Sequence, residues 1–205
     1  RVKRALYSCL RNYKGSKQVA NFLKGVIETE DKYYGIADAF RALVVVDSAI
    51  ARKKADGLLN LDSHNETVRS AAISFFGNVK TDENYKRLKQ LAAYGGTTWN
   101  ARPHAVTQLG KYVKTKPETV DLFVDYLRDH SRSVRQSAIR ALSQYGNKSH
   151  FSALDELAAW DPIVSRHVRI AKKNILKPKK TKKSPLNKEL DELNQKLEDI
   201  RKIVK

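Results

Sequence analysis

The chain has 205 residues, 41% of them hydrophobic and 30% charged, a balance that suits a soluble, folded protein. No apolar run approaches the roughly 18 residues that a bilayer-spanning helix needs, and no signal-peptide pattern opens the sequence. The net charge of +18, from 40 Lys and Arg against 22 Asp and Glu, attracts polyanions and acidic partners.

One short phrase recurs from the amino end onward. It opens as Val2-Lys3-Arg4-Ala5-Leu6-Tyr7 and returns as Gly35-Ile36-Ala37-Asp38-Ala39-Phe40, then as Val68-Arg69-Ser70-Ala71-Ala72-Ile73. Further on it reads Ala101-Arg102-Pro103-His104-Ala105-Val106, Val134-Arg135-Gln136-Ser137-Ala138-Ile139 and Val168-Arg169-Ile170-Ala171. The starts at 2, 35, 68, 101, 134 and 168 are separated by 33 residues, and by 34 in the last interval. Apolar or small residues fall at offsets 0, 4, 5 and 8 of each phrase, which lays a stripe down one side of an α-helix. Offset 4 reads Leu6, Ala39, Ala72, Ala105 and Ala138, whose alanines allow close helix approach, and offset 8 reads Leu10, Leu43, Phe76, Leu109 and Leu142. A second amphipathic stretch precedes each later phrase, as in Gln18–Leu23, Ala49–Leu59, Tyr85–Leu91, Val120–Leu127 and Phe151–Leu157. Each unit is therefore a helical hairpin, with the first beginning inside its second helix.

A fixed period in this range marks units that bury their apolar faces only by stacking. The expected fold is all-α, a right-handed α-solenoid over residues 1–176. Pro117-Glu118 and Asp161-Pro162 read as helix starts, and Gly77, Gly110 and Gly146 as left-handed caps after the phrase helix. Residues 177–185 hold five lysines and two prolines and read as an extended basic linker. Residues 186–205 carry Leu186, Leu190, Leu193, Leu197, Ile200 and Val204 in heptad steps, predicting a separate amphipathic helix that pairs in cis or in trans.

The most regular polar feature is an arginine column, Arg69, Arg102, Arg135 and Arg169. It reads as a structural ladder in which each guanidinium bonds a carboxylate or helix-end carbonyl of its own or the adjoining unit, with Asp62, Asp129 and Asp161 as partners because each lies shortly before one of the arginines. The alternative is a row of cations facing a polyanion. The concave face is expected on the phrase helices, with Arg41, Ser74, Thr107, Arg140 and Asn174 at offset 6 as candidate binding residues. Trp99 and Trp160 read as plugs between hairpins. His64, His104, His130, His150 and His167 share no metal-ligand spacing, and Cys9 is the only cysteine, so neither a metal site nor a disulfide is expected. No catalytic residue is expected either. A lone cysteine fits a reducing compartment, hence a cytoplasmic protein. The sequence lacks methionine, which leads to the expectation that it is a piece of a longer protein.

The Val-Arg, small-residue and Leu-Gly pattern resembles the HEAT family of helical repeats. A narrower resemblance rests on Asp31-Lys32-Tyr33-Tyr34-Gly35-Ile36-Ala37-Asp38-Ala39-Phe40-Arg41-Ala42-Leu43, on the turn Asp62-Ser63-His64-Asn65-Glu66-Thr67-Val68-Arg69, and on Ala92-Ala93-Tyr94-Gly95. These are similar to the HEAT-like carboxy-terminal region of gluzincin-type zinc aminopeptidases, the alanyl aminopeptidase-like family. The resemblance covers roughly residues 1–176. It implies a non-catalytic wall that restricts peptide access to an upstream catalytic domain, which in that family carries the zinc through an HExxH helix. None of the family's catalytic motifs is in this sequence, so no catalytic or metal-binding residue carries over and no cofactor is implied for this chain. The alternatives are a free-standing HEAT adaptor that binds a protein partner, or a basic nucleic-acid-binding HEAT protein; no membrane partner is expected.

Overall fold

The computed structural model describes residues 2–177 and Leu193. The basic stretch and heptad segment expected beyond Leu176 lie, apart from Lys177 and Leu193, outside the described residues. In chain order the helices are α1 (Val2–Leu10), α2 (Lys17–Thr29), α3 (Tyr33–Val46), α4 (Ser48–Leu59), α5 (Thr67–Asn78) and α6 (Asp82–Ala92). They continue with α7 (Arg102–Leu109), α8 (Thr119–Asp125), α9 (Arg132–Tyr145), α10 (Phe151–Trp160) and α11 (Ser165–Leu176). Among the described residues there is no strand.

The packing follows the repeat. Helices α1, α3, α5, α7, α9 and α11, which carry the recurring phrase, pack one against the next in a single layer. Helices α2, α4, α6, α8 and α10 form a second layer, each laid against the phrase helix that follows it. The fold is an all-α solenoid of two helical layers: α2, α4, α6, α8 and α10, the first helices of their hairpins, make the first-helix layer, and the phrase helices make the second-helix layer.

The apolar columns fill the space between the layers. Ala39, Ala72, Ala105 and Ala138 are fully buried, as are Leu43, Phe76, Leu109 and Leu142. Leu6, at the equivalent place in α1, is 47% exposed, because no first helix among the described residues lies against it. Phe40, Phe75 and Phe76 link the first units through tilted and edge-on ring contacts with centroids 6.1 and 5.2 Å apart. Helix starts are fixed by side-chain caps. Asp47 accepts from the amides of Ala49 and Ile50 at 2.9 and 3.0 Å, Thr81 from Asn84 at 3.1 Å, and Ser16 from Val19 at 3.3 Å.

The three glycines after the phrase do not act as left-handed caps. Gly77 lies within α5, Gly110 has φ −55° and Gly146 has φ −70°. Their lack of a side chain serves close approach. A Cβ at Gly77 would lie 2.3 Å from Gln108 Oε1, one at Gly110 would lie 2.9 Å from the Tyr145 ring, and one at Gly146 would lie 2.6 Å from the Leu142 carbonyl. In the first two cases the neighbour belongs to the next unit, so the glycine sets how closely successive second helices approach.

Candidate interaction surface

Three of the four column arginines are buried, and each ties its own unit to the following one. Arg69 donates Nε to the Leu59 carbonyl at 2.6 Å and a terminal nitrogen to Asp62 at 2.9 Å; it also pairs with Glu66, which accepts from Thr98 Oγ1 at 3.0 Å. Arg102 donates to the Ala92 carbonyl at 3.2 Å and forks onto Asp129 at 2.5 and 3.3 Å. Arg135 donates to the carbonyls of Asp129 and His130 at 2.7 and 3.0 Å and pairs with Asp161, with Nε 3.1 Å from the carboxylate. Each guanidinium thus closes off carbonyls at the end of its own first helix and reaches into the next unit's loop.

That pattern shifts two partners by one unit. Asp129 pairs with Arg102 and not with Arg135, and Asp161 pairs with Arg135 and not with Arg169. Proximity in sequence pointed to the wrong arginine because the side chain, at the amino end of its helix, is directed along the stack. The Arg135 guanidinium, hydrogen-bonded to Asp161, holds that carboxyl below the usual carboxylate range. Arg169 is exposed and makes no such bond among the described residues. Aromatic rings cover two of the buried guanidiniums, with Tyr94 5.6 Å from Arg102 and Trp160 4.9 Å from Arg135. Trp99 is not a plug. It is 70% exposed on the loop before α7.

The turn Ser63-His64-Asn65-Glu66 carries two successive left-handed residues, Asn65 at φ 53° and Glu66 at φ 55°. Such a pair is costly for side-chain-bearing residues. It is held by Ser63 Oγ accepting from the Val68 amide at 3.0 Å, by Thr67 donating to the His64 carbonyl at 2.7 Å, and by the Glu66 carboxylate on Arg69 and Thr98. His64 itself is exposed.

The offset-6 residues lie along the open side of the second-helix layer, and most are tied to a neighbour. Arg41 donates to Asp38 at 2.8 Å, and Asp38 also accepts from Arg4 at 2.5 Å. Ser74 Oγ lies 2.8 Å from His104 Nε2, and Asn174 donates to Ser143 Oγ at 3.0 Å. Thr107 turns back to its own helix at Pro103 O, 2.9 Å away, while Arg140 projects into solvent with no partner among the described residues. Sequence reasoning missed two side chains beside this column: Arg11, and Lys111, which donates to Asn78 at 2.5 Å. Offset 3, where His104 reads as a packed or half-buried histidine among alanine, aspartate and serine, was legible, and aligning offset 10 as well would have added Asn78 and Lys111 as a polar margin next to offset 6.

Charge is divided unequally between the layers. The first helices hold acids and bases in balance, with Glu28, Asp56, Asp82, Glu83, Asp121, Asp125, Asp155 and Glu156 among their residues. The second helices carry a single carboxylate, Asp38, against basic residues in every member, seven of them in α9 and α11. Burial lowers the His104 pKa, assisted by the charges of Lys111 and Arg41, and burial beside Lys80 lowers that of Lys111. Among the described residues no group of His, Cys, Asp and Glu is placed to hold a metal ion, and Cys9 is exposed and unpaired. No described helix is long and apolar enough to cross a membrane.

Comparison with known families matches residues 92–171 to HEAT repeats, the region from the end of α6 into α11. No curated protein matches the chain, and no solved structure matches it.

Proposed function

We propose that this chain is a non-catalytic HEAT-repeat scaffold that engages a protein partner through the open side of its second-helix layer. The observation that supports this most directly is the one-sided charge: cations that reach the surface on α1, α3, α9 and α11 with Asp38 as the sole carboxylate of the second helices, beside a balanced first-helix layer, while the arginines of α5 and α7 are buried in ion pairs. A surface of one sign raises encounter rates with a partner of the other and fixes its orientation. The buried arginine pairs hold successive units in register, which such a surface requires.

The narrower reading is that the partner is the catalytic domain of a zinc aminopeptidase and that the solenoid forms a wall limiting peptide access to it. Its support is the resemblance of the Asp62–Arg69 turn and the Tyr94-Gly95 turn, both in loops along the edge that the arginines bind together. Any zinc belongs to that other domain.

Lysine crosslinking of the protein isolated from its native source, followed by peptide mapping, tests both levels. The scaffold reading expects crosslinks to a partner from Lys111 and Lys173, and few from Lys24, Lys53 and Lys89 on the first helices. Crosslinks spread evenly over both layers overturn it. Peptides bearing HExxH in the same polypeptide support the aminopeptidase wall, whereas crosslinks to a separate polypeptide without that motif select the adaptor. The one-sided charge also gives a specific ground for a nucleic-acid reading. That reading requires a mobility shift whose affinity falls steeply with salt.

A further inference from the structure

We infer that the groove across α1, α3 and α5 is a carboxylate-binding site for an acidic peptide segment, with Arg11 and Arg41 as its ligands. The site names the chemistry of the partner and rests on the scaffold reading only in placing that partner on the second-helix layer. Two adjoining concavities form it. One, of about 330 Å³, is lined by Arg4, Ser8, Arg11 and Asp38; the other, of about 250 Å³, by Arg11, Arg41, Val44, Val45, Ser74 and Asn78. Arg11 is common to both.

Three observations converge on an anionic ligand. First, Arg4 and Arg41 share one carboxylate, Asp38, so three guanidiniums face the groove with a single counter-charge. Second, Arg11 Nε is shut away from solvent and has no hydrogen-bond partner among the described residues. A buried donor is normally satisfied, and this one, on a side chain that lines both concavities, gains a partner only when the guanidinium turns outward to a bound acid. Third, Ser74 and Asn78 line the same cavity, already oriented by His104 and Lys111 of the next unit at 2.8 and 2.5 Å.

The groove favours a peptide carboxylate over an inorganic anion. Asp38, with one oxygen 2.5 Å from Arg4 and the other 2.8 Å from Arg41, shows that the arginines here hold a carboxylate between them, one nitrogen from each. Beside them Val45 is 43% exposed, with Val44 half-buried next to it, an apolar wall for a side chain neighbouring the bound acid. A small anion leaves that wall unused.

Fluorescence anisotropy on the full chain tests the site, with a labelled, terminally blocked peptide of alternating Glu and Leu and a Gln-for-Glu counterpart. The wild-type chain binds the Glu peptide, with affinity falling as salt rises, and binds the Gln peptide at least about tenfold more weakly, since charge-assisted bonds are lost. Arg11→Gln with Arg41→Gln weakens the Glu peptide by about tenfold or more, while Arg11→Lys with Arg41→Lys keeps the charge, loses the fork and falls between. Circular dichroism melting confirms that each variant is folded, and the lysine pair supplies the test if the glutamine pair is not. Equal binding of the two peptides, or binding unaffected by either double variant, overturns the proposal. Inorganic phosphate that displaces the peptide at concentrations where acetate does not also overturns it, by assigning the groove to phosphate. If Arg140→Gln weakens binding and the groove variants do not, this site fails while the scaffold reading stands; if none of them does, both fail.

Discussion

His104 occupies a place where most units carry a small residue, and its environment makes it a pH-sensitive point of the stack. Its ring is tucked between α5 and α7, with Ser74 Oγ 2.8 Å from Nε2 and Ser74 in turn donating to the Ser70 carbonyl at 2.8 Å. A hydroxyl has one hydrogen, so the imidazole is the donor to Ser74. Burial comes first in lowering its pKa, and the positive charges of Lys111 and Arg41 add to the effect, partly opposed by a hydrogen bond to the Ser70 backbone. A histidine with a depressed folded-state pKa contributes full stability above its unfolded value of about 6.5, and loses it as pH falls from there toward the folded value. The lowered carboxylates, Asp161, Asp82, Glu28 and Glu30, lose their contributions only below about 4.5, so the interval from 6.5 to 5 isolates the histidine. Urea unfolding at pH 7.5 and 5.5 is expected to show a drop in midpoint for the native chain and a much smaller drop for His104→Gln. Equal drops in the two proteins count against this assignment.

At the scale of the helix, one substitution is expected to have opposite signs in different places. Gly25 lies inside α2 with nothing within 4 Å of the position a Cβ would take, so Gly25→Ala gains helix propensity alone, about 0.5–1 kcal/mol. Gly77 in α5 would place a Cβ 2.3 Å from Gln108 Oε1 and 2.9 Å from the Gln108 Cβ, and Gln108 is buried. Gly77→Ala is expected to destabilise by about 1–3 kcal/mol despite the better propensity, because α7 must shift. Thermal melts of the two variants check both signs. The same glycines show what the sequence made legible. Hairpins, layers and core columns followed from the period, since Ala39, Ala72, Ala105 and Ala138 can occupy one equivalent place only if the units stack. What a repeat cannot encode is the distance between units. Gly77 and Gly110 look like helix ends from within one unit, and only the facing Gln108 and Tyr145 reveal them as contact points. Asp129 and Asp161 misled for the same reason, since the relevant arginine is one unit back, farther in sequence and nearer in space. Of the candidate surface, the offset-6 column was legible, but Arg11 was not, because its offset carries Val44, Gly77, Gly110 and Ser143 in other units.

For the whole molecule, the arginine pairs decide how strongly neighbouring units are coupled. A solenoid behaves nearly as a one-dimensional array, in which each unit is marginal alone and the interface with its neighbour supplies cooperativity. Asp129 is the densest link in that array. Its carboxylate takes both terminal nitrogens of Arg102 and the Ser131 amide at 2.8 Å, while its carbonyl accepts from Arg135 at 2.7 Å. Asp129→Asn leaves the buried Arg102 guanidinium without its counter-charge, a loss on the order of 3 kcal/mol. Because the loss falls at one interface, the units up to α7 are expected to unfold separately from those beginning with α8. Denaturant unfolding then shows a lower apparent m-value or two transitions where the native chain shows one. Arg169→Ala supplies the contrast: the side chain is exposed, so its removal stays within about 0.5 kcal/mol and leaves cooperativity intact. If Asp129→Asn only shifts a single sharp transition, the coupling between units resides in the apolar columns and the arginines merely satisfy the loops. That outcome would also lift the requirement that the charged surface depends on them for its register.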